Sequence, residues 1–208
     1  SDVCSSDLAA KLAIVKLIQL MPEHTYFFMV TGDQEARVIV PVVQATHQNK
    51  SRAIALIREI NANSATVIST WLTVALAQFN KMPQAIRQAL LLTDGQNAPS
   101  DEGKLVEVLG QCEGIFQCDC RGVGTDWKVS QLQQISHKLL GTTDIIPDAS
   151  GIDADFQNIL GKALSKNISD VSLRLWIPQG AQPIFCKQVS PDLVDLTDRA
   201  KAVKPQIF

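Results

Sequence analysis

The run Ala89-Leu90-Leu91-Leu92, closed by Thr93-Asp94-Gly95, does most to limit what this chain can fold into. A short, unbroken apolar stretch bounded by turn formers suits a strand covered on both faces, and such strands belong to α/β sheets with helices on either side. The carboxyl ends of these strands face the ligand crevice of an open sheet, so a carboxylate there is a candidate for chemistry. Asp next to Gly is also ordinary turn chemistry. On this run alone, Asp94 could equally cap the segment that follows.

Along the rest of the chain helix and strand signals alternate, which implies a mainly parallel sheet with helices on both faces. Residues 9–20 read as a helix, with Lys11, Lys16 and Gln19 on one side. Tyr26 to Thr31 and Arg37 to Val40 are aromatic and β-branched, and they flank Gly32-Asp33-Gln34-Glu35 as a hairpin would. Ser51 is expected to cap a helix reaching about residue 60, with Ile54, Ile57 and Ile60 on one stripe. Further helices are expected over 67–79, 101–112, 129–139 and 151–166, with strands at 88–93, 115–121 and 143–147. Past Lys166 the alternation of Asp170 to Trp176 predicts a half-buried strand, and Gln182 to Val189, beyond the Pro178-Gln179-Gly180 turn, predicts its partner. A second, β-rich domain is therefore expected to begin at 167, with the chain stopping inside it at 208.

Composition excludes more than it suggests. Lys and Arg number 19 against 21 Asp and Glu, without a basic cluster, so nucleic acid is not an expected partner. The apolar stretch Leu8 to Leu20 is too short and too charged to span a bilayer. Cys118 and Cys120, two apart in an expected strand, point to one face and read as buried thiols; no second Cys or His pair has the spacing of a zinc site. Gly122-Val123-Gly124 lacks the third glycine of a dinucleotide loop, and Thr125-Asp126-Trp127 reads as a turn into the next helix, with Trp127 as packing. No Gly-x-Ser-x-Gly elbow, P-loop or His-Glu-x-x-His motif occurs. Asp94 with Asp33 or Asp101 would form an acid–base pair only if the fold joined them, and an enzyme is not expected.

Leu91 to Asn97, LLTDGQN, resembles the fourth-strand motif of a von Willebrand factor type A (VWA) domain. Ser64 to Leu72 resembles the family's Thr-bearing loop at the start of the third helix, with Ser64-Ala65 in place of the usual Gly-Gly. Ile115 to Trp127 resembles the fifth strand and its following loop. The resemblance covers about residues 9–166 and looks closest to a bacterial group in which a β-rich segment follows the VWA domain. It implies a Rossmann-like VWA fold and a metal-ion-dependent adhesion site, where a hard cation, Mg²⁺ (or Mn²⁺ or Ca²⁺), bridges to an acidic side chain of a protein partner. Carried over by motif, the metal ligands are Thr66 and Asp94. The alternative role for Thr66 is a helix cap, and the alternative function is a VWA subunit of an ATPase- or chelatase-like assembly. Cytoplasmic localisation is the default expectation.

Ser1 to Leu8, SDVCSSDL, stands apart, because it resembles the in-frame translation of a sequencing adapter and is expected to be non-native. It occupies the place of the family's first strand and its Asp-x-Ser-x-Ser loop. Asp2, Cys4 and Ser6 imitate that spacing and are not carried over as ligands. The expectation is a VWA domain without its native first strand, and the loss of a central strand should abolish a cooperative fold.

Overall fold

A computed structural model of the chain describes residues 2–60, 66–123, 127–146, 149–166, 174, 176–178, 180–190 and 193–199. Its elements, in order, are α1 (Asp2–Leu20), β1 (Tyr26–Gly32), β2 (Ala36–Gln44), α2 (His47–Glu59), α3 (Ile68–Phe79), β3 (Gln88–Thr93), α4 (Glu102–Cys112), β4 (Gln117–Val123), α5 (Val129–Lys138), β5 (Thr143–Ile146), α6 (Ala149–Ser165), β6 (Lys187–Gln188) and β7 (Val194–Asp195). The α/β alternation expected from the sequence is present. None of the described helices is long and apolar enough to cross a membrane.

Strands β3, β4 and β5 form a parallel sheet in that order, with Leu91 opposite Cys120 and Gly122 opposite Ile145. β1 and β2 form a separate antiparallel hairpin. Side chains alternate across the parallel sheet as the two-residue period requires. Leu91, Cys118 and Cys120 meet Leu72 of α3, Leu105 and Leu109 of α4, and Leu132 and Ile135 of α5 on one face. On the other face Leu90, Leu92 and Val123 meet Ala13 and Ile14 of α1 and Phe156 and Ile159 of α6. Below the hairpin, Phe27 and Val40 pack with Ile18 of α1 and Ile57 of α2. Ile14 belongs to both clusters on that side, so α1 lies across the hairpin and the parallel sheet together.

Several boundaries differ from the sequence reading. The first helix begins at Asp2, seven residues before the expected Ala9, so the segment standing in for a first strand is helical. α2 begins at His47, and its cap is Thr46, whose Oγ1 accepts from Asn49 N at 3.3 Å, instead of Ser51. The Ile54, Ile57, Ile60 stripe does pack on the hairpin. β4 starts at Gln117, because Ile115 and Phe116 are spent on the core before the ladder begins. Most of the strand expected over Asp170 to Trp176 lies outside the described residues. Of Gln182 to Val189 only Lys187 and Gln188 are strand, and they pair forward with Val194 and Asp195. That short hairpin is tied to the body by Arg199, whose Nε lies 2.6 Å from Glu113 Oε1, while Lys138 Nζ holds the other carboxylate oxygen at 2.5 Å.

Candidate metal centre

β3 ends in a turn that its own last residue organises. Thr93, buried, accepts from Gly95 N at 3.2 Å and donates to Gly95 O at 3.0 Å through the same hydroxyl. This clamp lifts Asp94 to the apex, where its carboxylate is exposed and makes no hydrogen bond or ion pair among the described residues. The turn then runs beside the segment entering α3: Thr66 forms a parallel bridge with Asn97, and Ala98 N donates to Thr66 O at 2.8 Å. Gly95 is needed at this approach, since a Cβ there would lie 2.9 Å from Thr66 Oγ1. The two residues singled out from the sequence are therefore brought to one loop cluster at the carboxyl end of β3.

The neighbours of Thr66 and Asp94 organise the loops, although Asn97 Nδ2 is buried without a hydrogen-bond partner. Asn97, 2% exposed, accepts from Ile68 N at 2.9 Å through Oδ1, and Asp101, 4% exposed, accepts from Ser69 N at 3.0 Å and from the Ser69 hydroxyl. These two side chains satisfy the first amides of α3, which its own N-cap, Val67, cannot. Thr66 is consequently not the cap of α3, and its hydroxyl has no hydrogen-bond partner among the described residues. Asp33 contributes its carbonyl, which accepts from Val67 N and from Trp71 Nε1, both at 3.1 Å; its Oδ1 accepts from Glu35 N at 3.0 Å, the turn role expected of it. With Asp101 turned inward to Ser69 and Asp33 bonded within its own turn, neither is directed at Asp94 as an acid–base partner. Sequence reasoning missed Asn97 and Asp101 as organisers, although Asn97 stood inside the quoted motif.

The donor set is oxygen only: one carboxylate and one hydroxyl. That chemistry fits a hard cation which keeps most of its waters. No cluster of three or more His, Cys, Asp or Glu suited to a metal occurs among the described residues. Cys118 and Cys120 are free and buried, as expected, and Cys112 is free and buried as well. Gly122 is explained by packing rather than phosphate binding, because a Cβ there would fall 2.0 Å from the ring of Trp127, which leans on the main core. Thr125 and Asp126 lie outside the described residues.

A family model for the von Willebrand factor type A domain matches residues 1–145. The chain belongs to the VWA family. A solved VWA structure from Catenulispora acidiphila shares 34% identity and a TM-score of 0.93 over 99% of this chain and 50% of that one. So close a match along the whole chain includes the relative placement of hairpin and parallel sheet. This chain spans about half the length of that relative. An aerotolerance-related membrane protein from Bacteroides fragilis, 18% identical, matches 75% of this chain and 88% of its own with a TM-score of 0.62. Proximal thread matrix protein 1 of the mussel byssus, solved with zinc in its MIDAS motif, matches 75% of this chain and 42% of its own at 16% identity and a TM-score of 0.59. Both share the fold. Comparison with curated protein sequences gives no match. VWA domains are generally interaction modules rather than catalysts, and divalent-cation binding occurs in the family.

Proposed function

We propose that this VWA domain is a non-catalytic protein-binding module that engages its partner through a divalent cation held at Thr66 and Asp94. The observation that supports it is the division of labour in the loop cluster. Thr93, Asn97 Oδ1 and Asp101 are committed to organising the loops, while the Asp94 carboxylate and the Thr66 hydroxyl, in the same loop cluster, make no hydrogen bond among the described residues. A cation supplied with these two oxygens retains open positions for water and for one carboxylate from outside, and that is the chemistry by which an acidic side chain of a partner would be bound. With one carboxylate in the set, Mg²⁺ is the fitting ion and weak affinity the fitting strength.

The test is a titration of the full chain with Mn²⁺, followed by the paramagnetic signal of the free ion. Weak binding, near about millimolar as for the loosest oxygen-ligand sites, is expected. It should vanish in Asp94→Ala and fall in Thr66→Val, and Mg²⁺ should compete. An Asp94→Ala chain that binds Mn²⁺ as well as the original would overturn the assignment.

A further inference from the structure

Two cavities, of about 280 and about 530 Å³, lie along the seam between α4 and α5 and share Val106 and Gln134 as walls, so they form one groove. Both helices are crossovers of the parallel sheet, α4 from β3 to β4 and α5 from β4 to β5, and therefore run side by side in one direction. Each gives the groove a stripe at helical spacing, Glu102, Val106 and Leu109 from α4 and Gln131, Gln134 and Lys138 from α5. Asn97, the bridge partner of Thr66, stands at one end, and residues 193–199 border the other. At about 1.5 Å per residue the 11 residues of α4 span about 16 Å, which about five extended residues would cover.

The chemistry of the walls changes along that length. By the loop cluster they carry the side-chain amides of Asn97 and Gln131 and the Ser130 hydroxyl, groups that donate and accept side by side as main-chain peptide groups do. Asn97 N donates to Gln131 Oε1 at 3.2 Å and Asn97 Oδ1 accepts from Ile68 N at 2.9 Å, so the side chain is held while its buried Nδ2 lacks an acceptor. The Glu102 carboxylate in the same wall disfavours an anion there. Midway, Val106, 57% exposed, stands beside buried Leu105 and Leu109, an opening for one apolar side chain. At the far end Glu113 holds both Lys138 and Arg199, and the exposed carboxylates of Asp195 and Asp198 leave three acidic groups against two basic ones.

We propose that the groove binds an extended segment of a partner protein, with a Lys or Arg at the Asp198 end, an apolar side chain seated at Val106, and an acidic residue at the loop cluster. About five residues separate its two charged ends, and a backbone carbonyl near the acidic one accepts from Asn97 Nδ2. The acidic contact rests on the reading of Thr66 and Asp94 as a cation site; the apolar and basic contacts do not.

The test uses the ¹⁵N-labelled full chain and two probes, Asp-Gly-Ser-Leu-Ser-Gly-Lys and its reverse, Lys-Gly-Ser-Leu-Ser-Gly-Asp, which cover both chain directions. In EDTA, one of them should shift the side-chain amide signals of Asn97, Gln131 and Gln134 and the backbone signals of residues 102–109, saturating at about a millimolar. Exchanging Leu for Gly in that peptide should abolish the shifts, as should Val106→Glu, an exposed position whose variant is checked for folding by its remaining spectrum. Asp198→Lys should weaken the peptide by about threefold and favour a version with Glu in place of Lys. No shift with either probe, an equal effect of the Gly version, or indifference to Val106→Glu or to Asp198→Lys would overturn the proposal. Binding in EDTA that gains nothing from added Mg²⁺ would uphold the groove and refute the cation site instead. A gain from Mg²⁺ that Asp94→Ala removes would support both.

Discussion

At the scale of single residues, burial governs chemistry. Burial, together with the neighbouring Cys118, pushes the Cys112 thiol from 9.0 up to about 12, and the Cys118 thiol, hydrogen-bonded with Cys120 and buried, is also raised. Both remain protonated where an exposed thiol ionises, which makes them poor nucleophiles and poor metal ligands. The linkage follows in sign. Unfolding frees a thiol that ionises near 9.0, so the unfolded chain holds fewer protons than the folded one, and stability is lost as pH rises from about 9 toward about 12. Each pH unit should cost up to about 1.4 kcal/mol per thiol. Urea unfolding of the parallel-sheet half, followed by Trp127 fluorescence at about pH 8.5 and about pH 10.5, measures this; equal midpoints would refute it. The shared face of Cys118 and Cys120 was legible in the sequence from the period of two. That Cys118 stands close enough to Cys112, on another element, to help raise its ionisation was not, for nothing local links residue 112 to 118.

Between elements, one ion pair fastens β4 to α6. Arg121, 4% exposed, donates through Nε to Asp155 at 2.6 Å and through a terminal nitrogen at 3.0 Å, with its remaining reach given to Cys120 O and Thr142. Asp155→Ala would leave a buried guanidinium with backbone carbonyls for company. A loss of about 2–3 kcal/mol is expected, toward the low side of what breaking a buried pair costs because those carbonyls remain. Replacing both partners, Arg121→Met with Asp155→Leu, should recover most of it, and a double-mutant cycle in urea decides. The sequence reading placed both elements, since periodicity is local. It could not pair residues 34 apart. The site shows the same division: Thr66 and Asp94 were legible because their motifs are contiguous, whereas Asn97 and Asp101 act across 29 and 32 residues to cap α3. Thr46 displaced Ser51 as cap of α2 for a simpler reason, because several hydroxyl residues compete at a helix start and packing of the hairpin chooses among them.

For the whole molecule, what matters is that no backbone ladder crosses from the hairpin to the parallel sheet among the described residues. The hairpin keeps a core cluster of its own, and what joins it to the parallel sheet is side-chain packing, with Phe28 of β1 on Phe79 of α3 and Ile14 of α1 shared between clusters, together with the Asp33 carbonyl at the amino end of α3. Cooperativity requires that one half cannot open without the other, and here the coupling is a few side chains rather than a shared sheet. We therefore expect heat to unfold the chain over a broad range, with amides of residues 26–44 exchanging well before those of residues 88–123. Pulsed hydrogen exchange along a temperature series would show it. Simultaneous loss of protection in both halves, with a single sharp calorimetric peak, would mean that α1 and α3 couple the sheets as strongly as a ladder does.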